Sequence, residues 1–300
     1  MKKKTYLIAL MAMVLTLGSC SDNENGIGGE TSKYITVSTS IGNMTRVATD
    51  EKGGQTFEEG DEISVYAWTG DATVAPETRE RVVNNAINKL TNGSWISNPQ
   101  MLWKNNRDKH YFIGVYPISA ISDLSAGEYT FDETKQVESD LLVAVNKDGL
   151  SYNVDEQQTV PLTFTHVMAK LAVNLTYKNQ WGGIPTVEKV VVGNAAKEAT
   201  INYLTKVVTP SATAKEDFSL PEITENTKYV SVIIPQEDVK QLTIVIGGKN
   251  FVYDNGTPFK LESGKITTVN LEVGRDEIKL GDVKITDWEN GSTFSGEALN

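Results

Sequence analysis

YITVSTSI, residues Tyr34 to Ile41, puts Ile35, Val37 and Ile41 on one face of an extended chain and Thr36, Ser38 and Ser40 on the other. A period of two is the mark of a half-buried β-strand, because successive side chains of a strand point to opposite faces. The signal recurs downstream. Ile63 to Trp68, Tyr111 to Tyr116 and Leu141 to Val145 are short apolar or aromatic runs bounded by Gly, Asp, Asn or Pro, which is how strands are composed and punctuated. Leu171, Val173, Leu175 and Tyr177 alternate with small or polar neighbours, and Val187 to Val192, Tyr229 to Ile234, Leu242 to Ile246, Phe251 to Tyr253 and Ile266 to Val273 continue the series. IVIGGKNFVY, 244–253, reads as a hairpin with Gly247 to Asn250 as its loop. Many short strands, frequent turn signals and no helix–strand alternation predict an all-β chain of antiparallel sandwiches.

One segment resists this reading. ETRERVVNNAINKL, 77–90, has Val83, Ile87 and Leu90 at helical spacing, yet Val82, Val83, Asn84 and Asn85 are poor helix formers. Length adds a prior of two domains, since roughly 260 residues beyond the start exceed the usual single-domain size. The boundary is expected in the polar stretch Asn146 to Gln158, giving 34–158 as an N-terminal sandwich and 159–300 as a C-terminal one.

The N-terminus is organised differently. Lys2 to Lys4 precede an apolar stretch from Tyr6 to Leu17, and Gly18 and Ser19 lead into Cys20, the chain's single cysteine. This is the layout of a secretory signal, and the apolar stretch falls short of the roughly 20 residues a membrane-crossing helix needs. Leu17, Gly18, Ser19 and Cys20 resemble a bacterial lipobox, which implies removal of residues 1–19 and acylation of the Cys20 thiol, so that Cys20 meets outer-membrane lipid. Residues 20–33, rich in Gly, Ser, Asn and acidic side chains, read as a flexible tether. Asp22 and Glu24 resemble export signals of surface lipoproteins and read equally well as part of a plain soluble tether.

Loss of residues 1–19 leaves 25 basic against 39 acidic residues, a net charge near −14. Such a chain is a poor partner for nucleic acid. With Cys20 acylated, no disulfide, zinc–thiolate site or cysteine nucleophile can be built from this chain alone. Its stability must come from a core.

In chain order, ITVSTSIGNMTR (35–46), FEEGDEISVYAW (57–68), GSW (93–95), Trp103, YFIGVYP (111–117), SDLLVA (139–144), FTHVMAKLAVNL (164–175) and ITDWENG (285–291) resemble the fimbrillin-like lipoproteins of Bacteroides-type bacteria, relatives of type V pilus subunits. The order behind a lipobox carries the resemblance more than any single motif does. It implies two tandem transthyretin-like β-sandwich domains, and strand and loop rather than helix for Val82 to Leu90. It also implies cutting after a basic residue that follows the first strand, here between Arg46 and Val47 in NMTRVATD; Arg46 reads otherwise as an ordinary surface arginine. Loss of Ile35 to Ile41 would then open a groove that another subunit's strand fills. The resemblance places the donor strand at the C-terminal end, where Ile278, Leu280, Val283 and Ile285 supply apolar alternation interrupted at Gly281. Beyond Trp288 the tail NGSTFSGEALN holds only Phe294, Ala298 and Leu299 as apolar anchors, which weakens the case for a stalk subunit and leaves tip, anchor and stand-alone roles open.

Chemistry has few footholds. The two histidines, His110 and His166, stand beside strands, and no Gly-x-Ser-x-Gly elbow is present, so no serine triad is expected. His166 reads as a structural residue at a strand entry and His110 as a loop or strand-edge residue. Glu58, Glu59, Asp61 and Glu62 read as a solvated turn rather than a calcium site or a pair of glycosidase carboxylates. No catalytic residue, metal or cofactor is expected. The leading reading is a non-enzymatic pilus subunit or pilus-associated adhesin at the outer membrane, with other pilus subunits as partners. The alternative is a surface lipoprotein that binds host or bacterial glycans on Trp68, Trp95, Trp103, Trp181, Trp288 and tyrosines.

Overall fold

The alternation of Tyr34 to Ile41 becomes an edge strand that completes a curled sheet. The computed structural model describes residues 33–42, 56–156, 158–254 and 256–288. Its strands are β1 (Thr36–Ile41), β2 (Glu62–Thr69), β3 (Val83–Thr91), β4 (Ser94–Asn98), β5 (His110–Tyr116), β6 (Gly127–Thr130), β7 (Leu142–Leu150), β8 (Thr159–His166), β9 (Ala169–Tyr177) and β10 (Val187–Ala196). They continue with β11 (Glu198–Asn202), β12 (Val207–Pro210), β13 (Lys215–Ser219), β14 (Glu222–Thr224), β15 (Lys228–Ile233), β16 (Gln241–Ile246), β17 (Lys249–Asp254), β18 (Lys265–Val273) and β19 (Ile278–Asp287). Among the described residues the only helical turns are 3-10 turns at Thr78–Glu80 and Asn179–Trp181. The chain is all-β.

A seven-stranded sheet runs β1-β8-β7-β5-β2-β3-β4. Its ends approach one another: Trp95 Nε1 on β4 donates to Thr39 Oγ1 on β1 at 3.0 Å, while Ile35 N donates to Met101 O at 2.9 Å and Trp103 N to Lys33 O at 3.2 Å. The sheet thus wraps around Val37, Ile63, Val65, Phe112, Leu162 and Phe164. Its outward residues Tyr66, Trp68, Ile113, Val115 and Val143 belong to the larger core formed with the second half. Burial on both faces explains why ISVYAW, YFIGVY and LLVA are nearly continuous apolar runs rather than alternating ones. Gly114 fits the same crowding, since a Cβ there would sit 2.6 Å from Phe164 Cζ.

In the second half, a four-stranded sheet, β13-β10-β16-β17, and a five-stranded sheet, β14-β15-β9-β18-β19, enclose Leu171, Val173, Val190, Val192, Leu242 and Leu271. A small sheet, β12-β11-β6, joins a strand from the first half to two from the second. The expected boundary at 158/159 falls between β7 and β8, which are antiparallel neighbours in the first sheet; that sheet keeps the chain until His166. The expected antiparallel pairing prevails, with two parallel pairs within it, β1 with β8 and β9 with β18.

The resistant segment is the 3-10 turn followed by β3, with no α-helix. Its helical spacing marks no common face, since Ile87 and Leu90 point to opposite sides of β3, which carries a β-bulge ahead of them. Val65 pairs with Ala86 and Ala67 with Val83, so three steps on β3 match two on β2, and Asn85 takes φ +55° in the bulge. An extra residue turns a period of two into a step of three. The β16–β17 hairpin is tighter than expected: Gly247 and Gly248, φ +57° and +71°, form a two-residue turn whose positive φ values suit glycine.

Candidate functional site

Cys20, Arg46 and Val47 lie outside the described residues. What the structure describes is the strand ahead of the Arg46–Val47 bond and the strand expected to be donated.

β1 pairs with β8 in unbroken register from Thr36–Thr159 to Ile41–Phe164. Ile35, Val37 and Ile41 are 2%, 6% and 8% exposed, so the alternation read from the sequence is also the burial pattern. On the outer face Thr36 and Thr159 hydroxyls meet at 3.2 Å and Ser40 Oγ donates to Thr163 Oγ1 at 3.2 Å. Gly42 N caps the pairing by donating to Phe164 O at 2.8 Å.

β19 is built the other way. It pairs antiparallel with β18, and Ile278, Leu280, Val283 and Ile285 stand opposite Val273, Leu271, Val269 and Thr267. Residues directly opposite in an antiparallel pair share a face, and those four β18 partners are fully buried. The four apolar residues therefore face the core side, yet Leu280, Val283 and Ile285 remain 36%, 40% and 39% exposed, because β19 is the outermost strand of its sheet. They share that face only through a bulge, since Gly281 and Asp282 together oppose Asn270 where the register shifts. Asn270 Nδ2 donates to Asp282 Oδ1 at 2.6 Å, and Asn174 Nδ2 donates to Asn270 Oδ1 at 2.7 Å, which fixes the bulge to β18 and β9.

The far end of β19 is pinned by a cluster that sequence reading missed. Trp288 is 8% exposed, its N donates to Gly264 O at 3.0 Å, and its ring stacks on His166 with centroids 4.0 Å apart and planes within 7°. Lys170 Nζ lies 3.9 Å from the same ring centroid, so both groups hold the indole. His166 Nδ1 is 2.8 Å from Asp140 Oδ1. Burial pushes the Lys170 ammonium down to about 8, with Asp140 opposing the shift. ITDWENG and FTHVMAK carried these residues, but 122 residues separate His166 from Trp288 and no local pattern links them.

The remaining expectations resolve as follows. His166 closes β8 rather than opening a strand. His110, expected in a loop or at a strand edge, begins β5 fully buried; its Nε2 accepts from Lys104 N at 3.0 Å and its Nδ1 donates to Asp108 O at 3.1 Å, an arrangement that folds the 104–110 loop. Burial lowers its pKa. The acidic group forms a turn in which Asp61 Oδ2 accepts from Glu58 N at 2.7 Å, Glu59 Oε1 from Asn92 N at 2.7 Å, and Glu62 pairs with Lys89 at 3.2 Å. Trp68, Trp103 and Trp288 are buried and Trp95 and Trp181 half-buried.

Residues 45–288 match the model of the fimbrillin-like family. The chain belongs to the fimbrillin-like family. This fimbrillin-like chain is 24% identical over 322 residues to the fimbrium subunit Fim1C of Bacteroides uniformis, covering 99% of this chain and 100% of that protein. Its fold is that of a cell adhesion protein of Bacteroides ovatus, with TM-score 0.63 and 18% identity over 85% of this chain and 98% of that one. A cell adhesion protein of Bacteroides uniformis gives TM-score 0.58 and 18% identity over 86% and 100% of the two chains. A fimbrial protein of Bacteroides vulgatus gives 0.50 and 12% over 75% and 92%.

Proposed function

We propose that this fimbrillin-like chain is a non-enzymatic pilus subunit or pilus-associated adhesin of the bacterial surface, delivered by lipid on Cys20 and activated by removal of its first strand. Cutting between Arg46 and Val47 separates β1 from the rest of the chain, and another subunit's strand takes its place. The observation that carries this reading is the position of β1: an edge strand that nevertheless supplies three buried side chains to the core and ends five residues ahead of Arg46. Its loss uncovers apolar surface worth about 5–8 kcal/mol, taking about 2 kcal/mol for each buried Ile or Val, and bares the edge of β8. Such a slot favours β-augmentation. Family membership and the named fimbrial relative support the same role.

The test is to treat the purified chain, lipid signal removed, with a trypsin-like protease and sequence the product. A discrete new N-terminus at Val47, followed by loss of β1 when a competing strand is added, is the expected result. No cut near Arg46, or a cut product that keeps β1 whatever strand is offered, sinks the reading.

A further inference from the structure

The two terminal strands of this chain do not match, and the mismatch bears on what can fill the slot. Resting on the strand-exchange reading above, we infer that the Gly281–Asp282 bulge bars this chain from donating β19 into the β1 slot of a second copy, so that the slot takes an unbroken strand from a different chain.

The slot demands strict alternation. β8 meets β1 without a register shift over six pairs, and the inward positions are those of Ile35, Val37, Thr39 and Ile41, at i, i+2, i+4 and i+6. β19 carries its apolar residues at 278, 280, 283 and 285, a spacing that shares one face only because Asn270 accommodates the extra residue. β8 offers no such accommodation. Laid flat against β8, β19 has two parities, and both fail. One turns Ile278 and Leu280 inward together with Asp282 and Lys284; the other turns Val283 and Ile285 inward with Lys279 and Asp287. Burial of an unpaired carboxylate or ammonium is strongly unfavourable. Parity does not depend on strand direction, so antiparallel entry is no remedy. The tail beyond Trp288 has no window of three apolar residues at the spacing of Ile35, Val37 and Ile41. Excluding a wrong partner by a clash is a recognised route to specificity.

Removal of one residue reverses the argument. Without Gly281 the strand reads Ile-Lys-Leu-Asp-Val-Lys-Ile, with four apolar residues in strict alternation. The full chain cut after Arg46 is therefore titrated with three labelled peptides: residues 33–42, residues 277–287, and residues 277–287 lacking Gly281. The first and third are expected to bind within tenfold of each other, and the second at least a hundredfold more weakly. In parallel, the full chain lacking Gly281 is expected to form oligomers after cutting, while the unaltered chain stays monomeric on sizing with light scattering. If the native β19 peptide binds within tenfold of its shortened form, the bar is wrong and strand exchange stands. If the β1 peptide itself does not rebind, the slot does not exist and both ideas fall.

Discussion

β1 and β19 are both outermost strands, yet they are fastened by different means. β1 gives alternate side chains to the core and is gripped along β8 and by the Met101–Trp103 segment. β19 has its central residues exposed, carries a bulge, and depends on Trp288 at its end. An edge strand can thus be held by many small burials or by one large one, and the choice decides how it is lost: β1 only with damage to the core, β19 by release of a single side chain.

Four substitutions would break or sharpen this contrast. The largest effect is expected from Val37→Asp, which buries an unpaired carboxylate in the β1 core; a loss of about 4 kcal/mol or more is expected from urea unfolding. The matching Val283→Asp on β19 should cost under about 1 kcal/mol, since its site is 40% exposed; equal costs would erase the distinction. Next, Trp288→Ala should cost about 3 kcal/mol, and hydrogen exchange should quicken across Lys279 to Thr286 while β9 stays protected. Uniform acceleration across both sheets would show that Trp288 serves the whole core rather than the strand.

A pH-dependent effect concerns Lys170. Its folded-state pKa, about 8, lies below the ordinary lysine value of about 10.4, so between these values the unfolded chain binds more protons than the folded one. Stability contributed at this site therefore rises with pH across that window. Lys170→Met should exceed the parent in stability by up to about 3 kcal/mol at pH 7, and the gap should close as pH climbs from 8 to 10. A constant gap would mean that the ammonium against Trp288 is not held at a cost.

Part of the architecture was legible without coordinates. Period-two alternation located β1 and β9, and continuous apolar runs located β2, β5 and β7. Bulges were not legible: β3 carries one between Val83 and Ala86 and β19 one at Gly281–Asp282, and an extra residue breaks the period of two by which a strand is read. The boundary at Gln158 was placed by polarity, and polarity does not report that β8 returns to the first sheet to lie beside β7 and β1.

What the residues alone determined is what short-range chemistry decides: β-class, and membership in a family whose motifs run in order. What only the tertiary structure decided is pairing. That β1 lies against β8, 123 residues away, that Trp288 meets both His166 and Lys170, and that Asn270 receives two residues of β19 all depend on contacts between distant segments. Hydrophobic burial selects such contacts by overall fit, and no local pattern encodes them.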